Sequence, residues 1–426
     1  MTKQLTARIS GLISAGLLAA FLAPVALSAQ DPGLQYFRPY DQRGLHMFET
    51  PKEAGVPFDG FQIYWGASFA QQFQMLSHEN APGGNEDLVL NEIGAGFNLA
   101  TANLYLGAQL AEGIRVHLTT YLSSRHHPEA WVKDGYVLID AVPMFENEAL
   151  DRLMEYVTVR AGHFEINYGD SHFRRSDNAN AMHNPFVGNL IMDAFTTEIG
   201  GEVYVRTPGG FLAMGSITGG EIRGTVQNPD DRAPSFIGKV GFDRQFNEDL
   251  RVRLTGSAYH TSKSLSNTLY GGDRAGSRYY DVMNGNFTSG RFNPGMRDNV
   301  TALVLNPFVK FQGFELFATL ESAEGKAANE TEDRSWSQQA IEGLYRFHDD
   351  ESLFVGARYN TVSGPLQGSM QEVSIDRFQL GAGWFVTPQI LMKAEYVQQN
   401  YNDFAEGNIL HQGKFNGLMI EGVIAF

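Results

Sequence analysis

From residue 60 onward the chain alternates apolar and polar residues in runs of about ten, and each run ends at a turn. Residues 250–258 show the pattern, with Val252 and Leu254 on one side and Arg251 and Arg253 on the other. A period of two residues is that of a β-strand, because successive side chains point to opposite faces of a sheet. The predicted strands therefore have one apolar face and one charged face.

Sixteen segments carry this alternation. We predict strands at 60–75, 95–110, 114–124, 135–142, 155–166, 194–207, 210–219, 235–246, 250–262, 300–311, 314–323, 337–347, 352–362, 375–386, 390–401 and 416–426. Turns of two or three residues alternate with long connections, which is typical of outer-membrane barrels whose short turns face the periplasm. The sequence predicts an all-β fold, a transmembrane antiparallel β-barrel in which the first strand pairs with the last. Weakly patterned stretches at 125–155 and 262–300 leave the strand count open by about two.

Composition excludes several other classes of protein. The chain has no cysteine, so it has no disulfide, thiolate metal site or cysteine nucleophile. Its net charge of −16 argues against a nucleic-acid partner. After the N-terminus no apolar run reaches the roughly 20 residues of a transmembrane helix. We predict neither a metal nor a cofactor.

The first 59 residues precede the alternating pattern. Residues 1–29 are predicted to be a secretory signal peptide, because Lys3 and Arg8 precede a charge-free stretch that ends in small residues. An uncleaved membrane anchor is the alternative, and Pro24 favours cleavage. Residues 30–59 are either a periplasmic tail or a segment that enters and occludes the barrel, and the tail is the favoured interpretation.

The last strand ends in an aromatic residue. Leu418, Ile420, Ile424 and Phe426 share its apolar face, and this strand resembles the closing strand of bacterial outer-membrane barrels, whose terminal Phe is recognised by the assembly machinery. We therefore predict a barrel over residues 60–426 in the outer membrane of a Gram-negative-type bacterium. Its expected partners are membrane lipid, lipopolysaccharide and the barrel assembly machinery. A secreted β-sandwich or propeller is the alternative, but no repeat of about 40–50 residues indicates a propeller.

The polar face of the strands is predicted to line the interior with nearly balanced charge. The basic residues on this face are Arg115, Arg160, Arg206, Lys239, Arg251, Arg253, Lys310, Arg346, Arg358 and Lys393. The acidic ones are Asp140, Glu198, Glu202, Asp243, Glu315, Glu321, Glu342, Glu395 and Glu421. Unpaired charges in a dry interior would cost several kcal/mol each, so we predict a water-filled lumen. Pairing of these charges across the wall is the alternative.

The chain resembles the outer-membrane porins, and more specifically the phosphate-selective porin type. The resemblance rests on Val157–Ile166 before a long third loop, on Phe378–Trp384 followed by Leu391–Tyr396, and on Phe426. It covers most of residues 60–426 as a pattern. It implies a sixteen-stranded, trimeric barrel through which small solutes diffuse past a basic constriction. The lysine clusters of an anion funnel are not evident, so phosphate selectivity is not predicted.

The third long connection, residues 167–193, is the candidate constriction. In a porin this loop folds inward and narrows the pore, where rings of side chains decide which ions pass. We predict His172, Arg174, Arg175 and Asp177 at the constriction, with the two arginines as its filter charges. A solvated loop tip or a trimer contact is the alternative.

Together these features predict a porin that allows passive diffusion of small hydrophilic solutes or ions. An occluded structural or adhesive barrel, or a substrate-specific channel for other solutes, is the alternative. Enzyme activity is not predicted, because the candidate histidines lie in or near predicted loops with no nucleophile motif beside them. These are His126, His127, His172, His183 and His260.

Overall fold

The computed structural model describes residues 34–52, 55–123, 127–220, 228–272, 278–285 and 289–426. The predicted signal peptide, residues 1–29, lies outside the described residues.

Within the described residues, seventeen strand segments form one antiparallel sheet that closes on itself. The strands are β1 (Gln62–Glu79), β2 (Gly96–Phe97), β3 (Thr101–Ala111), β4 (Ile114–Ser123), β5 (His127–Ile139), β6 (Val157–Glu165), β7 (Thr197–Arg206), β8 (Phe211–Thr218), β9 (Ser235–Gln245), β10 (Leu250–Thr261), β11 (Asn299–Phe311), β12 (Phe314–Lys326), β13 (Arg334–Phe347), β14 (Leu353–Pro365), β15 (Glu372–Thr387), β16 (Ile390–Asn402) and β17 (Lys414–Ala425). Because β2 and β3 both pair with β1, they are two parts of one barrel strand. The barrel has sixteen strands, and the predicted fold class is confirmed.

The barrel closes between its first and last strands. The register of β1 and β17 runs from Ser68 opposite Ala425 to Glu79 opposite Lys414. Phe426 extends this pairing, because its backbone N–H donates to the Ala67 carbonyl at 3.0 Å. No strand edge is left for pairing at this seam, which is the property of a closed barrel.

Helical structure is limited to short connections. The α-helix α1 (Glu148–Met154) begins at Asn147, whose side chain accepts the backbone N–H of Ala149 and Leu150. Short 3-10 turns lie at Gln42–Gly44, Glu86–Leu88, Pro143–Phe145, Ser171–Phe173, Pro229–Asp231 and Val282–Asn284. Across the described ranges, no helix combines the length and hydropathy needed to cross a bilayer.

The strand predicted at 135–142 has different bounds. β5 runs from His127 to Ile139, and the following connection contains α1. The weak alternation of residues 125–155 explains the error, because the asparagine cap and the helical turn that follows have no period of two.

Exposure alternates along the strands as the sequence pattern predicts. Trp65 and Val240 are 69% and 65% exposed on the outer face, whereas the inward Lys239 and Arg253 are 1% and 2% exposed. Such a surface suits hydrocarbon outside the barrel and polar groups inside it. The short turns join strand pairs along one rim, for example at Gly113, whose φ of 68° and close approach to Ala141 favour glycine.

The long connections at the other rim fold into the barrel. Val187 and Met192 of the third connection, with Tyr279 and Met283 of the connection between β10 and β11, belong to one buried apolar cluster. Inward side chains such as Trp336 complete it. The sequence predicts a water-filled lumen; the structure adds that the long connections place apolar side chains inside the barrel, because burial removes their apolar surface from water.

Candidate functional site

Both arginines predicted at the constriction are buried and paired with carboxylates. Arg174 donates from Nε to Glu342 at 2.9 Å and from Nη2 to Glu315 at 3.0 Å. Arg175 binds Asp193 through two hydrogen bonds of 2.8 and 2.6 Å. Paired in this way, the two guanidinium groups attach the third connection to the wall and to itself.

The other two predicted constriction residues lie beside a second ion cluster. His172 Nδ1 is 2.8 Å from Glu165, and Nε2 is 2.9 Å from the side-chain oxygen of Asn167. Burial lowers the pKa of His172 below its usual range, against the opposing effect of Glu165. Asp177 lies 3.1 Å from the Lys133 ammonium. The four predicted residues therefore have charged partners, and Arg175 also lies 3.8 Å from Asp177.

The predicted lumen-lining residues Arg115, Arg160, Arg206, Arg251, Arg253, Arg358 and Lys393 all lie on the inward face of the sheet. Several are matched by carboxylates, such as Arg251 with Asp243 at 2.7 Å and Lys393 with Glu421 at 2.6 Å. Lys393 also donates to three backbone carbonyls of the third connection. Most of these charges therefore pair across the wall or hold the inward loop.

Residues 34–52 also lie against the inward face, near the short-turn rim. Gln42 donates to the carbonyls of Pro388 and Asp350, at 2.9 and 2.7 Å. Farther along the segment, Lys52 donates to the carbonyls of Asp140 and Val157, both at 2.6 Å. The segment thus reaches turns on widely separated strands, and a periplasmic tail does not fit these contacts. Sequence periodicity did not favour this interpretation, because the segment contains no strand and only the short 3-10 turn Gln42–Gly44.

The side chain of Glu49 links residues 34–52 to the charged inner wall through ion pairs. Its carboxylate lies 2.8 Å from Arg253 and 3.2 Å from Lys239, and the side chain is 6% exposed. Burial alone would raise the pKa of Glu49, but Arg253 and Lys239 hold it well below its usual range. The carboxylate is therefore ionised at neutral pH and pairs with both cations.

One group of side chains has the composition of a metal site. His46, Glu315 and Glu351 bring ligand atoms within 4.8 Å of one another, the only such group in the parts of the chain described. Lys310 lies 2.5 Å from Glu351, and Arg174 lies 3.0 Å from Glu315. These cations already neutralise the carboxylates, so the group is better described as an ion-pair network than as a metal centre.

A cavity of about 210 Å³ lies between residues 34–52, the third connection and the wall of β3 to β7. Its charged lining residues are Arg38, Glu49, Arg115, Lys133, Asp134, Arg160, Glu165, Asp177 and Arg206. Arg38 donates to the carbonyl of Phe173 at 3.1 Å, and burial lowers its pKa to about 10, so it is still charged at neutral pH. Lys133 was missed because it lies in the weakly patterned stretch, and Arg38 because its segment has no strand pattern.

Aromatic rings cross the middle of this cavity. Tyr40 stacks on Tyr105 with ring centroids 3.6 Å apart, and its hydroxyl lies 2.9 Å from His117 Nε2. The His117 ring is in turn 5.3 Å from that of Tyr136. The cavity therefore combines flat apolar surfaces with charged groups, as ligand sites and narrow passages commonly do.

Comparison with known proteins supports the fold. No protein-family model matches the chain, and no curated protein matches its sequence significantly. Among solved structures, it is similar to the anion-selective porin from Comamonas acidovorans, with 12% identity over 86% of this chain and 100% of that one and a TM-score of 0.54. The Pseudomonas putida protein OprB shares 11% identity over 86% and 94% of the two chains, with a TM-score of 0.52.

A third structure is similar to the same degree. The outer membrane channel DcaP of Acinetobacter baumannii shares 10% identity over 87% of this chain and 99% of that one, with a TM-score of 0.51. At these identities the likeness shows the fold alone, which is that of outer-membrane β-barrels.

Proposed function

We propose that the protein is an outer-membrane channel through which small hydrophilic solutes diffuse passively. The observation that carries this proposal is the closed sheet with an apolar outer face and a charged inner face around a polar cavity. A channel needs polar walls to replace the water around a solute, and the charged side chains that line the cavity supply them.

Two elements narrow the proposed passage. The third connection lies across the interior, and residues 34–52 lie beside the short-turn rim. Arg174 and Arg175 support this role indirectly, because their carboxylate partners hold the loop in place. The charges left to meet a solute are those that line the cavity, such as Arg38 and Arg206. The proposed channel is consequently narrow and selective.

The proposal includes the partners expected from the sequence. Lipid and lipopolysaccharide would surround the apolar outer face, and three copies would assemble as the porin resemblance implies. The ring of Phe426 is 56% exposed, which supports its recognition by the barrel assembly machinery.

Solute flux into liposomes tests the proposed function. We expect liposomes that contain the refolded chain to swell in solutions of small amino acids or monosaccharides, and to swell more slowly in disaccharides. A variant that lacks residues 34–52 should admit the larger solutes faster, because a part of the lining is removed. Swelling no faster than that of empty liposomes, for both chains, would contradict the proposal.

A closed structural barrel is the second candidate. The buried apolar cluster favours it, because this cluster joins side chains of the long connections to inward side chains of the wall. If neither chain admits solutes although both are correctly inserted, the closed barrel becomes the better explanation.

A further inference from the structure

The connection between β5 and β6 carries the helix α1 at the short-turn rim of the barrel. It starts beside the turn between β3 and β4, where the backbone N–H of Asp140 donates to the Gly113 carbonyl at 2.7 Å. It ends beside the turn between β7 and β8, where the N–H of Arg206 donates to the Tyr156 carbonyl at 2.9 Å. Both ends of the connection are therefore fixed at this rim.

Helix α1 and its last flanking residue have one apolar side and one charged side. At about 100° per residue, the sequence divides into an apolar half, with Ala149, Leu150, Leu153 and Met154, and a polar half, with Glu148, Asp151, Arg152 and Glu155. This division is typical of a helix that has an apolar environment on one side and water on the other.

The barrel covers little of the apolar half. Of the seven residues of α1 only Met154 is buried, whereas Leu150 and Leu153 are exposed. The apolar surface continues into the preceding turn, where Met144 and Phe145 are also exposed. A helix of this length is unstable in water unless its apolar side is packed, so we expect a further surface to cover it.

The outer face of the sheet carries a belt of exposed aromatic side chains at the same rim. Its members include Trp65, Phe211, Phe311, Phe314, Phe347 and Trp384. In outer-membrane barrels such a belt lies at the boundary between lipid headgroups and acyl chains. The connection that contains α1 joins two strands at this rim, so its exposed apolar side chains continue the lipid-facing surface of the barrel.

We propose that α1 and the turn before it dock in the lipid leaflet at the short-turn rim, with Phe145, Leu150 and Leu153 inserted between headgroups and acyl chains. Interfacial helices bury their apolar side about 5–10 Å into this boundary. Short turns of such barrels face the periplasm, so the leaflet is the periplasmic one. The inference goes beyond the proposed channel, because it assigns a lipid contact outside the lumen.

The charge of the polar half indicates which lipids suit this contact. Glu148, Asp151 and Glu155 outnumber the single cation Arg152. Attraction to anionic headgroups therefore does not contribute, and burial of apolar surface drives the docking. Zwitterionic headgroups suit the contact best, because they do not repel the acidic side chains that stay in water.

Fluorescence quenching in vesicles tests the inference. The chain has no cysteine, so Leu153→Cys and Asp151→Cys each provide one site for an environment-sensitive dye. The full chain is refolded into vesicles of phosphatidylcholine and phosphatidylethanolamine that contain either a nitroxide-labelled lipid or iodide on both sides. We expect the lipid to quench the dye at Leu153 several-fold more than the dye at Asp151, and iodide to do the reverse. Asp151 is the matched control, because it is exposed on the polar half of the same helix.

A second pair of variants tests the contribution of the neighbouring side chains. Phe145→Gln combined with Leu150→Gln should lower lipid quenching of the dye at Leu153 and raise iodide quenching, because the helix loses apolar surface. Both side chains are exposed, so the barrel should fold as before. Val89→Gln combined with Met370→Gln is the control, since both residues are exposed on connections at the opposite rim. This control should leave quenching at Leu153 unchanged.

Equal quenching of the two dyes by iodide, or equal quenching by the lipid, would overturn the inference. Protection of the dye at Leu153 from both quenchers would also overturn it, since a protein surface, such as a second copy of the chain, would then cover the helix. Quenching is measured in inserted barrels whether or not they conduct. Failure of solute flux would therefore refute only the proposed channel.

Discussion

The substitution Glu49→Gln tests whether residues 34–52 are held in the barrel by charge. Glutamine keeps the shape and one acceptor oxygen of Glu49, but it removes the negative charge between Arg253 and Lys239. Removing one partner from a buried ion pair costs about 3–5 kcal/mol. Asp170 still contacts both cations, at 2.8 and 2.6 Å, so we expect the lower value, about 3 kcal/mol. Since about 1.4 kcal/mol corresponds to a factor of ten, the ratio of released to docked segment should rise about 100-fold.

Single-channel recording measures this ratio through the time spent at the higher conductance. The pKa of Glu49 is depressed, so its contribution to docking is present above the unfolded value, near 4.5, and is lost as the pH falls below it. Acidification should therefore mimic Glu49→Gln only below about pH 4.5. The control, Glu79→Gln, removes a solvent-exposed ion pair and should change neither conductance nor stability. Unaltered conductance and an unaltered denaturation midpoint in Glu49→Gln would refute the reasoning.

Three further predictions concern the inward loop and the barrel seam. Arg174→Gln combined with Arg175→Gln should lower the free energy of unfolding by several kcal/mol and leave the reversal potential in a salt gradient unchanged; a shift toward cations would show that these charges meet passing ions. Burial and the charge of Arg38 hold the pKa of His183 well below its usual 6.5, so stability should fall as the pH drops below about 6.5. His183→Gln should reduce this loss, which is measured as the difference between the free energies of unfolding above and below pH 6.5. An unchanged difference would exclude His183 as its cause. Phe426→Ala should reduce the amount of barrel in outer membranes without altering the refolded barrel, and normal amounts by immunoblot would exclude the assembly role.

The strands could be predicted because lipid imposes a simple rule. A residue such as Val240 faces hydrocarbon and its neighbour Lys239 faces the interior, so the alternation is visible in the sequence alone. Short turns such as Gln312–Gly313 mark where each pair of strands reverses. The barrel follows from local pattern, without knowledge of any distant contact.

The filling of the barrel could not be predicted in the same way. Tyr279 donates to Glu395, more than one hundred residues away, at 2.6 Å, and Glu49 reaches Arg253 from a segment without periodicity. Such contacts depend on how the loops fold back, for which no local pattern exists. The four predicted constriction residues could be named from the long third connection, but only contacts reveal that Arg174 and Arg175 have carboxylate partners.

Single-channel conductance of the refolded chain in a planar bilayer under a salt gradient tests the central claim most directly. The proposed narrow channel predicts small, discrete conductance steps with a measurable reversal potential, and larger steps after removal of residues 34–52. A correctly inserted barrel that stays silent in both forms would contradict the account.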